Sequence, residues 1–96
     1  MPQQPPKKQI QIKVDDKVLK GVYANLMRVM HTKEEFVLEF ANVFPPTGIM
    51  TARVIISPGH LKRIIKALVE NLSRYEAKFG PIKEAEPPRG EVEFEA

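Results

Sequence analysis

Ser57-Pro58-Gly59-His60-Leu61-Lys62-Arg63-Ile64-Ile65-Lys66-Ala67-Leu68-Val69-Glu70-Asn71-Leu72-Ser73-Arg74-Tyr75-Glu76-Ala77-Lys78-Phe79-Gly80 is the stretch whose reading decides the fold. Ser57 suits a helix N-cap, and Pro58 suits the first helical position, where no backbone N–H is needed. Gly80 can take the left-handed conformation that ends a helix, and Pro81 blocks continuation. Between the caps, Leu61, Ile65, Leu68, Leu72, Tyr75 and Phe79 recur at alternating spacings of four and three, so they form one stripe. Ile64 and Val69 widen it. A helix with this stripe has a large apolar surface to cover, and the preceding residues must supply it.

Working back from Ser57, Ile49–Ile56 reads as a strand, and Pro45-Pro46-Thr47-Gly48 reads as a break in the sheet ladder. Phe36–Phe44 alternates clearly, with Phe36, Leu38, Phe40 and Phe44 on one face and Val37, Glu39, Ala41 and Val43 on the other. Thr32-Lys33-Glu34-Glu35 is a polar connector. Lys17–His31 also fits one face of a helix, through Val18, Leu19, Val22, Tyr23, Leu26 and Met30, but Gly21 in its middle and the β-branched and aromatic residues favour a strand over Val22–His31. Asp15-Asp16 supplies a turn. Ile10, Ile12 and Val14 alternate with Gln9, Gln11 and Lys13 as in a half-buried strand. The order β-β-β-β-α predicts an α+β fold, a four-stranded antiparallel meander with one long C-terminal helix packed on one face.

Charge placement selects the register. With His31 and Phe36 flanking the first hairpin loop, Arg28 falls opposite Glu39. Placing Glu39 across from Arg53 gathers Met50, Ala52, Val54 and Ile56 beside Phe36, Leu38 and Phe40. A one-residue slip would put Arg53 among the phenylalanines, which is unfavourable where that face is buried. The resulting apolar face, face A, is the expected seat of the helix. Face B carries an Arg28–Glu39–Arg53 row amid Val22, Leu26, Met30, Val37, Val43 and Ile55. A single helix cannot cover both faces, so Arg28, Met30, Val37, Glu39, Val43, Arg53 and Ile55 are candidate residues of an interface with a second copy. The alternative is that loops and the N-terminal arm cover face B.

Ninety-six residues make one domain. Residues 1–8 read as a disordered arm, 9–82 as the domain and 83–96 as an acidic, disordered tail. Residues 81–96 hold five glutamates against Lys83 and Arg89, a net of −3, so residues 1–80 carry +6 of the overall +3. The absence of cysteine excludes disulfides and thiolate metal sites and points to the cytosol. No apolar run approaches the roughly 20 residues of a membrane span, and the N-terminus lacks the apolar segment of a secretory signal.

His60, Lys62, Arg63 and Lys66 place positive charge at the start of the helix, a candidate site for an anion or nucleic acid. Nucleic acid is disfavoured, because stacking aromatics do not interleave with these basic residues. His31 stands without a nucleophilic constellation, a glycine-rich phosphate loop or metal-spaced partners. No catalytic, cofactor or metal site is therefore expected, and the chain reads as a non-enzyme.

Gly21-x-Tyr23-x-Asn25, His31-Thr32-x-x-Glu35-Phe36-x-x-Glu39-Phe40 and Arg53-x-Ile55-Ile56-x-Pro58-x-His60-x-Lys62-Arg63, followed by Asn71, Tyr75 and Phe79-Gly80, resemble a family of short prokaryotic proteins of unknown function. The resemblance spans roughly residues 9–82. It implies a small cytosolic β-rich domain with a C-terminal helix and no established activity. That family usually has Glu where Gly59 stands and Asp where Glu39 stands, so this helix start lacks an acidic residue that would favour the dipole. The element order is also similar to one protomer of the SecB export chaperone family, an analogy of fold alone. Together these features lead us to expect a homo-oligomeric binding or adaptor domain that recognises another macromolecule, chaperone-like binding being one form of this, without membrane contact. The alternative is an anion or nucleic-acid binder.

Overall fold

In the computed structural model, which describes residues 8–94, the organising helix has the expected bounds. Helix α2 below is Pro58–Phe79. The Ser57 hydroxyl accepts from the His60 N–H, and the Gly80 N–H donates to the Glu76 carbonyl with Gly80 at φ 93°. That positive φ explains a glycine at the end of the helix. A one-turn helix, α1 (Asp16–Leu19), precedes the sheet where the sequence predicts a simple turn, because the Asp15 carboxylate caps it by accepting from Lys17 N–H.

Three strands form the sheet, β1 (Leu26–His31), β2 (Phe36–Phe44) and β3 (Thr47–Ile56), paired antiparallel in the order β1-β2-β3. The first hairpin closes with His31 opposite Phe36, and Thr32 Oγ1 accepts from both Glu34 and Glu35 N–H within its loop. The second closes on Pro45-Pro46 alone, joined by a cis peptide bond. Thr47 and Gly48, expected in the break, pair with Phe44 and Val43 instead.

The expected register holds through the charge row: Arg28 opposite Glu39, Glu39 opposite Arg53, and Phe36 opposite Ile56. It shifts beyond Phe40, where Ala52 pairs with Phe40 but Met50 pairs with Ala41. Thr51 is the extra residue of this β-bulge, and its hydroxyl donates to the Phe40 carbonyl. Because side chains alternate with period two, the inserted residue carries Met50 off face A and onto face B. Ile49, opposite Asn42, takes a place on face A.

The fourth strand is absent among the described residues. Ile10 and Ile12 lie 84% and 82% exposed, and residues 8–15 pair with nothing. Alternation makes a strand only where a neighbouring edge accepts it. Here Asn25 stands just before β1: its side chain donates to the Val43 carbonyl and accepts from Val43 N–H, both at 2.8 Å. That clamp takes the last backbone position beside β2, and the residues before Asn25, including Val22, fall outside the strand. The predicted Val22–His31 strand accordingly begins at Leu26.

Packing differs from expectation as well. α2 does not lie along either face of the sheet, and none of its residues is fully buried. Leu68 and Phe79, in the middle and at the end of its stripe, are 65% and 66% exposed. The radius of gyration is 18.2 Å, where a compact chain of this length has about 12–13 Å. The accessible surface is 9763 Å², against about 5600 Å² for a compact monomer of this mass. Only Ala41 and Glu39 are fully buried among the described residues. A stripe of this kind needs an apolar surface, and the described residues of one chain do not cover it.

Candidate functional site

The centre of face B is a carboxylate between two guanidiniums. Arg28 Nε donates to Glu39 Oε1 at 2.7 Å and Arg53 Nε donates to Glu39 Oε2 at 2.8 Å. The Nη2 of each arginine lies 2.6 Å from the same oxygen. Each arginine thus closes a fork on one carboxylate oxygen, a geometry that lysine cannot make. Glu39 is 1% exposed, while the arginine side chains that cover it stay partly open to solvent. Burial pushes the Glu39 pKa up, but the hydrogen bonds and charges of Arg28 and Arg53 outweigh it and hold the carboxyl below its ordinary value. Two arginines facing one glutamate leave the row with one positive charge in excess.

Around this row, the structure brings the expected candidates onto one face. Met30, Val37 and Ile55 are paired across the three strands on one side of it, and Val43 lies on the other. The bulge adds Met50. The unforeseen neighbour is Phe94, whose ring lies 3.7 Å from the Arg28 guanidinium carbon. A cation over an aromatic face is attracted by the ring quadrupole, by about 0.5–1 kcal/mol where it is exposed. The C-terminal segment therefore reaches back over face B and, with Ala41, Val43 and Met50, walls a groove at the β2–β3 turn. Part of face B is thus covered from the C-terminal end of the chain, with Met30 and Ile55 left exposed; of the N-terminal arm expected there, residues 1–7 lie outside the described region. Glu91-Val92-Glu93-Phe94 alternates in the sequence, and that alternation is the signal available for it.

Both faces leave apolar side chains exposed: Met30 and Ile55 do so on face B, and face A is open more widely. Met27, Val29, Val54, Phe44 and Ile49 are exposed, and Phe36, Leu38 and Phe40 are half-buried. His31 sits at its edge with its ring 5.2 Å from that of Phe36, in a local contact at the hairpin end. His60, Lys62, Arg63 and Lys66 occupy the first turns of α2, all exposed, and the His60 N–H is already taken by Ser57. Both salt bridges among the described residues involve Glu39; the spacing Lys66–Glu70–Arg74 forms none. No group of three His, Cys, Asp or Glu side chains converges among those residues, and no helix there is long and apolar enough to cross a membrane.

These features define a small α+β domain, an antiparallel three-stranded meander followed by a long capped helix, with apolar faces that the described residues leave exposed. The family model described as Protein of unknown function (DUF3467) matches residues 1–84, and the chain belongs to that family. The family resembled in the sequence is likewise one without an assigned function. No curated protein and no solved structure matches the chain.

Proposed function

We propose that this chain is a homo-oligomeric binding or adaptor domain that recognises another macromolecule through an apolar sheet surface, in a chaperone-like manner. The observation that supports it is the exposure, in one chain, of both the α2 stripe and sheet face A. Monomers seldom leave contiguous apolar patches larger than a few hundred Å² in water. A second copy relieves both exposures in one step, the stripe of each chain lying on face A of the other about a twofold axis. The dimensions suit this. A helix of 22 residues is about 33 Å long, close to the length of a 10-residue strand at about 3.3 Å per residue. Obligate interfaces bury about 2000 Å² or more in total. Face B, with its arginine row, is then left for the partner.

Sedimentation equilibrium tests the first half of this reading. A mass of at least twice 10.9 kDa at micromolar concentration is expected, and a monomer throughout would overturn it. Titration with a reduced, permanently unfolded α-lactalbumin tests the second. Binding should change little between about 50 and 300 mM salt. Steep weakening with salt would instead favour anion binding at His60, Lys62, Arg63 and Lys66.

A further inference from the structure

We infer that Gln9–Val14 of one chain pairs with the free edge of β1 in a second copy, so that two chains exchange the strand that completes each sheet. This deepens the self-association reading and rests on it, because it names the segment that each copy gives to the other.

Gln9–Val14 alternates over its whole length, with Ile10, Ile12 and Val14 on one side and Gln9, Gln11 and Lys13 on the other. Ile10, Ile12 and Val14 are 84%, 82% and 57% exposed, so the described residues of their own chain leave all three in water. No residue from 9 to 14 makes a backbone hydrogen bond among the described residues. The segment has the apolar side and the unpaired N–H and C=O groups of a strand, and lacks only a neighbour.

The sheet has an edge that matches it. In the order β1-β2-β3, the outer sides of β1 and β3 pair with no further strand among the described residues. β3 carries the bulge at Thr51, which breaks the regular spacing of an edge. β1 pairs with β2 without a bulge, and Leu26-Met27-Arg28-Val29-Met30-His31 holds no proline, lysine or carboxylate to turn another strand away. It is six residues long, the length of Gln9–Val14.

Side-chain chemistry decides which way the added strand faces. At this edge Met27 and Val29 stand on face A, 54% and 45% exposed, with Arg28 between them on face B. Ile10, Ile12 and Val14 set beside Met27 and Val29 extend the apolar face A to four strands. A one-residue slip would bring Lys13 onto face A and the isoleucines beside Arg28. The chain does not make this pairing with its own β1: between Val14 and Leu26 come α1 and the turn after it, where Gly21 stands at φ 73°. That leaves the β1 edge to a copy, and exchange of an identical element closes both edges about a twofold axis. Six residues of ladder add to the α2 contact and do not replace it.

The chain has no cysteine, so single thiols report contact between copies without background. Ile12→Cys chains are mixed in equal amounts with Met27→Cys or Val29→Cys chains and oxidised mildly with diamide. Each chain then holds one thiol, so any disulfide joins two chains. At least one mixture should give the two-chain product about tenfold faster than Gln11→Cys chains mixed with the same partners, because Gln11 points to the other face and thiols held together meet at a high effective concentration. All these positions are exposed, so the substitutions should leave the fold intact, which far-ultraviolet circular dichroism checks. Equal rates for Ile12→Cys and Gln11→Cys would overturn the inference. So would a double variant, Ile12→Cys with Met27→Cys or Val29→Cys, whose two thiols join within one chain, since the segment would then complete its own sheet. Sedimentation of the wild type separates the two readings. A dimer without the crosslink overturns strand exchange alone, whereas a monomer overturns the self-association on which it rests.

Discussion

Glu39 on β2 and Arg53 on β3 stand directly opposite each other, with Arg53 Nε 2.8 Å from Glu39 Oε2, and Arg28 completes the carboxylate from β1. All three strands are thus tied at one side chain. Glu39→Leu would keep the volume apolar and leave two arginines adjacent with nothing between them. Removing one member of a satisfied charge network is more damaging than never having built it. A fall of at least about 5 °C in thermal midpoint is expected, whereas Glu84→Ala in the tail should leave the midpoint unchanged. Equal midpoints for Glu39→Leu and wild type would remove the row from the fold determinants.

Acid should act through the same residue. Its carboxyl is held below the ordinary 4.5 by the two arginines, whose effect exceeds that of burial. A depressed folded pKa contributes stability that is present above the unfolded value and lost as pH falls through the folded one. Urea midpoints should therefore be flat from pH 7 to about 5 and decline below the unfolded value. Glu39→Gln should start lower and decline less over the same acid range. A parallel decline in both proteins would show that other carboxylates carry the acid sensitivity.

Asn25 is the other small clamp. Its side chain exchanges two 2.8 Å hydrogen bonds with the Val43 backbone and so imitates one more residue of the ladder. At about 0.5–1.5 kcal/mol for each bond, Asn25→Ala should cost about 1–3 kcal/mol by denaturant titration. Amide exchange at Val43 should accelerate more than at Leu38, in the middle of β2. Unchanged protection at Val43 would mean that the clamp is redundant.

Helix α2 is legible to the residue, since Ser57, Pro58 and Gly80 fix its ends by local backbone chemistry and the stripe fixes its face. The Arg28–Glu39–Arg53 row is legible too, because opposite charges on neighbouring strands select a register. Alternation alone puts Met50 on the wrong face, because the bulge at Thr51 inserts a residue that alternation does not encode. Ile10–Val14 has the alternation of a strand without an edge to join within one chain, and pattern says nothing about neighbours. Phe94 reads as part of a disordered tail, because its surroundings in the chain are acidic and its contact with Arg28 spans most of the sequence. Above all, an apolar stripe declares that something covers it without declaring which chain supplies the cover.

Leu68 decides that question most directly, since it lies near the middle of the α2 stripe and is 65% exposed within one chain. Leu68→Asp should cost an isolated monomer little, because the side chain already meets water and aspartate lowers helix propensity by only about half a kcal/mol. In an assembly with the stripe on a partner's face A, the same change buries an unpaired carboxylate, which is very unfavourable. The mass should drop to 10.9 kDa while the helical circular dichroism of α2 is largely retained. Lys66→Asp, on the polar side of the same helix, should leave the mass at the wild-type value. If both variants keep the wild-type mass, the stripe is not the assembly surface, and the open face of α2 must be met by a different macromolecule.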